Sequence, residues 1–395
     1  MSDYDEFIKE FSSASPFEVF YDKGIKPEEI KAAIIETFDP YFENKDRLEE
    51  YSTIWLITGW VIFMKFKQNK WHLDKFDKCL AYLNQAKKQN LPCHSVLADW
   101  LPEINQSVSR FWSFHNLAQD LDQLDDHEFL EESLKLIGQV LEGITKSYLK
   151  LFLHISRLSR GMHVTKEEIN NLDLGKIVDE LINNTNFSDL FSPPPWGIKL
   201  SQWRNIAYHH NAKLEANHFV CWYGKEPNIK TFVISRDDLL DAVRCIVNIY
   251  NTFKTVEVVF VFDNLPECQD ELKKRGDYKD LLREEVKILE LFTGINSQGF
   301  KIVAFNKDDH CSKLTIQDLT DRDITKRAVH SSQFLYSLWL YTSSHEVSIE
   351  YRLKNGKPFL TSSTNKIICE KIASNEKGID YLAEKVEFNF FTDNK

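Results

Sequence analysis

Basic excess is what the sequence most clearly lacks. Its 49 lysines and arginines face 60 acids, for a net charge of −11 over 395 residues. Proteins that grip long stretches of nucleic acid carry a basic surplus. A broad, salt-driven nucleic-acid platform is therefore not expected. A small local site, or a partner that supplies basic surface, stays open. Glycine and proline are few, 13 and 11, which argues against a linker-rich or disordered chain. The seven cysteines, Cys79, Cys93, Cys221, Cys245, Cys268, Cys311 and Cys369, are scattered, and no C-x-x-C occurs. Neither a disulfide framework nor a zinc site is expected, and reduced cytoplasmic thiols fit best. The adjacent pairs Cys93-His94 and His310-Cys311 have poor spacing for shared ligation. Long apolar runs are missing too. The most apolar, IWLITGWVIFM at 54–64, is about half the length that crosses a bilayer and reads as a buried helix, so no membrane partner is expected. The opening MSDYDEFIKEF is acidic without an apolar segment, so no leader is expected.

What is present is ordinary globular composition, 43% hydrophobic and 28% charged, with length for two or three domains. The 28 phenylalanines favour large packed helical cores. Residues 1–125 read as a helical N-terminal domain. Helices are expected at 27–38, opening with Pro-Glu-Glu, and at 47–67, 73–89 and 95–117. Phe76, Cys79, Leu80 and Leu83 fall at helical spacing, as do Trp100, Ile104, Val108, Phe111 and Trp112, and both sets read as core. The acidic run at 120–132 lacks the alternating ligands and glycine of a calcium loop and reads as a solvated linker and helix start. Residues 126–262 read as a helical bundle with a β-hairpin. Residues 263–395 read as a small α+β module: a charged helix at 267–292, a strand at 300–305, a helix at 325–341, strands at 347–353 and 358–362 around Asn355-Gly356, and a last strand at 386–391. Lys301, Lys307, Lys326 and Arg327 are candidates there for basic surface. The fold class expected is mostly α.

The stretch at 200–210, LSQWRNIAYHH, follows the proline-rich break SPPPWG, a stiff lead-in. Ser201 is a candidate N-cap. On a helical wheel with Arg204 at zero, Tyr208 falls near about 40°, Asn205 near about 100° and His209 near about 140°. Trp203, Ile206, Ala207 and His210 fall on the opposite arc, so His210 is expected to be packed. Arginine is a permanently charged planar donor suited to phosphate oxygens, and histidine gives or takes a proton near neutral pH. Asn205 and His209 are four apart and can touch. Arg, Asn and His on one arc suit phosphodiester chemistry. A solvated polar face with a capping histidine is the plainer alternative.

Arg204-Asn205-Ile206-Ala207-Tyr208-His209 resembles the R-N-x-x-x-H motif of HEPN domains, helical domains found in many prokaryotic toxin, CRISPR-associated and phage-defence ribonucleases. The context is similar as well. An apolar helix precedes the motif at 134–158. Two strand-like runs follow at 218–223 and 229–234, joined by GKEPN, and then an amphipathic helix opening at Arg236. A shorter helix at 174–183 and a flexible Asn/Ser-rich loop at 183–192 complete the unit, roughly 131–262.

The resemblance implies a metal-independent endoribonuclease without a cofactor. In active members two HEPN domains pair, so that their Arg/His motifs line one cleft. Single-stranded or loop RNA is cut there by in-line attack of the 2′-hydroxyl, leaving a cyclic phosphate. By position, Arg204 would neutralise the scissile phosphate, His209 would be the acid–base residue, and Asn205 would orient the phosphate or His209. Tyr208 would stack on a base or pack at the dimer seam. Many members have a supporting acid on the first helix. Glu142 is the candidate here, with a surface glutamate as the alternative. A homodimer through the HEPN-like unit, and a neutralising or activating partner protein, are implied likewise, as is a toxin or defence role. The rival reading is a non-catalytic dimerisation or partner-binding subunit, which suits the acidic charge. A nucleotide-sensing role for the last module finds no glycine-rich phosphate loop.

Overall fold

The structure, a computed structural model, describes residues 4–53, 56–117, 121–276, 282–308, 310–374 and 376–391. The fold is mostly helical, with eight strands in two small sheets among the described residues.

The compact units do not follow the expected cuts at 125 and 262. One takes residues 41–43 and 59–283, the other 1–40, 44–58 and 284–395. Apolar side chains explain the difference. Ile8 and Phe11, on a helix at Asp5–Ala14 that the sequence reading missed, join the core of Phe292, Phe300 and Phe305. The beginning of the chain thus folds with its end. The helices Lys70–Lys88 and Cys93–Leu117 belong instead with the bundle. Tyr82 meets Phe187 edge-on, Trp100 Nε1 donates to His154 Nδ1 at 3.2 Å, and the Phe111 ring lies 4.5 Å from Tyr250.

In the bundle unit one long helix carries the site. It runs Asp126–Gly138, widens into a π-helical turn at Gln139–Thr145, and continues as Lys146–Ser159. Asp125 starts it, accepting from the amides of His127 and Glu128, as an N-cap does. So the described end of the acidic connector is a helix cap; Asp120 lies outside the described residues. A π turn adds a residue to the helical repeat, and Leu134, Ile137, Leu141, Ile144, Tyr148 and Phe152 stay buried through it. The opposing helix, Arg236–Asp263, opens with a capping box between Ser235 and Asp238. Arg236 pins it: its guanidinium pairs with Asp126 at 2.7 Å, donates to the Leu121 and Leu124 carbonyls, and stacks 4.2 Å over Phe129. This 28-residue helix is long and apolar enough to cross a membrane, yet 56% of its apolar window is buried within the protein. That is the pattern of a core helix, which is hydrophobic because neighbours surround it.

The expected hairpin is a three-stranded antiparallel sheet in the order β1-β2-β3: β1 (Ala212–Glu215), β2 (His218–Tyr223) and β3 (Lys230–Ile234). β1, too short to show alternation, was missed. The stretch at 183–192 is not a loose loop. It holds a helical turn at Ser188–Phe191, with Phe187, Leu190 and Phe191 buried.

The second unit has a five-stranded sheet in the order β4-β5-β6-β7-β8: β4 (Phe300–Lys307), β5 (Cys311–Asp318), β6 (Glu346–Arg352), β7 (Pro358–Asn365) and β8 (Glu387–Phe390). β5 pairs parallel with β6; the other neighbours are antiparallel. The α+β character holds, but β5 was missed. The expected helix at 325–341 is two, Ile324–Ser332 and Phe334–Thr342. The charged helix at 267–292 is also two, Leu265–Arg275, which belongs to the bundle unit, and Glu284–Asn296, which belongs to this one, with 277–281 outside the described residues. Of the candidate basic surface, Lys301 pairs with Glu18 and Lys307 with Glu284. Arg327 is only 5% exposed and forks onto Asp318.

Candidate functional site

The motif helix is Leu200–Tyr208, and its N-cap is Lys199, not Ser201. Ser201 is buried in the first turn. Lys199 Nζ meets Asp179 at 2.7 Å, which fastens the helix start to the helix Leu174–Asn184. Trp203, Ile206 and Ala207 are buried, as the wheel requires. The Trp203 ring lies between Trp196 of the proline-rich segment, at 6.0 Å, and Phe232 of β3, at 5.8 Å.

On the opposite arc, Arg204, Asn205 and Tyr208 come together. Arg204 Nη1 donates to Asn205 Oδ1 at 3.2 Å, and its guanidinium carbon lies 5.9 Å from the Tyr208 ring centre. Asn205 therefore orients the arginine. Its side chain does not reach His209, whose backbone N–H bonds the Asn205 carbonyl at 3.1 Å. Tyr208 is half exposed, and its ring rests on Gly138 of the long helix. A Cβ at Gly138 would stand 3.2 Å from Tyr208 Cε2 and 3.4 Å from Ala207 Cβ. The glycine is what lets the two helices close to this distance. Nothing in the sequence alone marked it.

His209 caps the helix C-terminus. Its imidazole is exposed and makes no hydrogen bond among the described residues. His210 is not packed. It adopts φ of +48°, turns off the helix, and sets Nδ1 3.2 Å from the carboxylate of Glu131, with both side chains largely exposed. The wheel assumed that the helix continued; it ends at Tyr208, and the chain turns into β1.

Glu142 is in the site. The π turn carries it to Arg204, with Oε2 3.1 Å from Nε. Both atoms are buried, and the angle falls short of a hydrogen bond, so the contact is a charge pair within a shielded spot. Lys146, one turn on, binds the other oxygen, Oε1. One carboxylate thus stands between two cations. Arg110 from the helix Cys93–Leu117 donates to the carbonyl of Gly143 at 3.2 Å. Lys146 and Arg110 were missed; the Glu142/Lys146 spacing of four was the available signal. Beyond them Lys150 donates to the backbone and side-chain oxygens of Asn170. Burial, and next the charge of Lys146, lower its pKa from the ordinary lysine value.

The described residues include no cluster of three or more His, Cys, Asp or Glu placed to hold a metal. The arrangement offers a shielded, oriented guanidinium, a second cation beside it, and a free imidazole at the helix end. A guanidinium and an ammonium side by side can hold an anion, and an imidazole can carry a proton. No family model, curated protein or solved structure matches the chain.

Proposed function

We propose that the chain is a cytoplasmic, metal-independent endoribonuclease of HEPN type, cleaving single-stranded or loop RNA by attack of the 2′-hydroxyl. The observation that supports this most is the Glu142–Arg204–Asn205 chain of contacts. It gives Arg204 the fixed direction that stabilising charge on phosphorus demands, using an acid on the preceding helix and the asparagine of the motif. Arg204 neutralises the scissile phosphate. His209 takes the 2′-hydroxyl proton or protonates the leaving 5′ oxygen, and its exposure leaves it room to do either. Tyr208 offers a base a stacking face. With His209 lying beyond the helix end, a second copy related by a two-fold axis would place two such sets along one cleft. A toxin or phage-defence role, with a partner that neutralises or triggers it, follows from the same resemblance.

The rival reading, a binding subunit without catalysis, draws on Ile229 and Val233, which are exposed apolar residues at 47% and 63%. Incubating the purified protein with cellular RNA in EDTA separates the two. Wild type should yield fragments with cyclic-phosphate ends, and Arg204→Ala and His209→Ala should yield none while both still show a cooperative melting transition. Strict dependence on magnesium, or cleavage that survives His209→Ala, would refute the proposal.

A further inference from the structure

Arg204 is the first of a row of cations, and the row leads away from the motif along one face of the Lys146–Ser159 helix. Lys146 shares the Glu142 carboxylate with Arg204. Lys150 is one turn further on. Lys166 follows, because its Nζ lies 5.2 Å from the centre of the Trp100 indole whose ring also has Lys150 Nζ at 5.8 Å. Trp100 itself is buried beneath both. Successive positions four apart on a helix are about 6 Å from one another, a step comparable to that between phosphates on an extended strand. Two carboxylates form ion pairs with these four cations, Glu142 and, at Lys166, Glu103, and a third, Asp173, feels the charge of Arg204 without bonding it. The row therefore keeps a local positive surplus on a chain whose net charge is −11. Lys150 contributes most to it, since its hydrogen bonds go to the neutral oxygens of Asn170.

We infer that Lys146 and Lys150 form a phosphate track that holds the backbone of single-stranded RNA on one side of the bond placed at Arg204. This rests on the ribonuclease reading of the motif and adds a binding subsite to it. The physics is that of strand grooves in general: point charges follow the backbone without reading sequence. A lysine already partly stripped of water, with Glu103 and Glu142 nearby but neither bonded to it, loses little when a phosphate replaces the remaining solvent. The short row also fits the absence of an overall basic surplus, because it serves a few nucleotides and not a long platform.

The test uses the full-length His209→Ala protein, which should bind RNA without cutting it. Its affinity for a 12-nucleotide single-stranded RNA is measured by fluorescence anisotropy across a salt series. Beside it stand the same protein with Lys146→Ala and Lys150→Ala, and a control with Lys273→Ala and Lys274→Ala, two exposed lysines on another helix. Alanine suits a helix interior, so the track variant should fold. It should bind on the order of tenfold more weakly, with a salt slope smaller by about 1.4, or about 0.7 for each of two phosphates on a single strand. The control should change neither. In proteins that retain His209, Lys150→Ala alone, which leaves the contacts of Glu142 with Arg204 and Lys146 in place, should slow cleavage of the 12-mer but not of a dinucleotide, whose single phosphate needs only Arg204. Equal affinity and slope for track and control variants would overturn the inference, even with wild-type cleavage intact. So would equal slowing by Lys150→Ala on both substrates, which would mean that Lys150 merely supports Arg204. No RNA binding by the parent would overturn it too, whereas binding without wild-type cleavage would count against the catalytic reading alone.

Discussion

Substituting Glu142 with glutamine should set Arg204 and Lys146 against each other. The amide keeps the size of the side chain and removes the single negative charge that both cations contact. Cations on opposite oxygens of one carboxyl group are ~6 Å apart, where unit charges repel by about 0.7 kcal/mol in water and about 3 kcal/mol at an effective dielectric of ~20. The side chains of Arg204 and Glu142 are 23% and 28% exposed, so the effect lies between those limits. Lost attraction adds to it, and the easier burial of an amide offsets part of it. For a domain of this size about 1 kcal/mol moves the melting temperature by roughly 2–4 °C, so Glu142→Gln should lower it by about 2–8 °C. The deficit should shrink in 1 M salt, where the Debye length falls to about 3 Å. The decisive arm is a double-mutant cycle read by calorimetry. Lys146→Gln should destabilise wild type and stabilise the Glu142→Gln protein, because its charge changes from bonded to repelled. If Lys146→Gln lowers the melting temperature equally in both backgrounds, the shared-carboxylate reasoning is wrong.

Gly138→Val should press on Tyr208 and Ala207, where even a Cβ is tight, costing about 1–3 kcal/mol by overpacking; a melting temperature equal to wild type would mean that the helices do not meet there. In the other unit, the Asp318 carboxyl would be raised by burial, but the hydrogen bonds and charge of Arg327 outweigh this and hold it below the ordinary value. Asp318→Asn should therefore destabilise by about 3–5 kcal/mol, as breaking a buried pair does, and a mild effect in chemical denaturation would refute that. Burial lowers the pKa of His330 from 6.5 to about 4, so the unfolded chain takes a proton that the native one refuses. Its contribution to stability is complete above pH 6.5 and declines as pH falls towards 4; His330→Phe should flatten that decline in a pH series of denaturation curves.

The parts of the fold legible in the sequence were those fixed by local geometry. The apolar arc of Trp203, Ile206 and Ala207 packs as its periodicity requires, and the Asn355-Gly356 turn joins β6 and β7, with Gly356 at φ +82°. What escaped depends on distant pairing. Helical amphipathicity marks Ile8 and Phe11 as core residues but not whose core they join. Arg327 read as surface because a lone arginine usually is; burying it took Asp318, two carbonyl oxygens and the Phe300 ring, 3.7 Å away. His210 was misplaced by extending an ideal wheel two residues past the helix end.

The candidate site divides along the same line, and the division bears on how such sites are found. Arg204, Asn205 and Tyr208 share an arc because one helix puts them there, so spacing alone could group them. Glu142 came from resemblance, and spacing could not have supplied it, since 62 positions separate it from Arg204 in the numbering. A π turn changes the phase of a helix by about one residue, or ~100°, so a wheel drawn straight through 134–158 assigns Glu142 the wrong direction. One pattern crosses that break unharmed. Glu142 and Lys146 remain neighbours across the junction of the turn with the following helix, and an acid–lysine pair at that spacing can be read from the sequence. Its lysine marks where a negative charge is already answered. A second cation on the same acid, Arg204, then leaves a positive remainder, to which, among the described residues, no further carboxylate is bonded, although Asp173 lies close enough to feel the charge of Arg204.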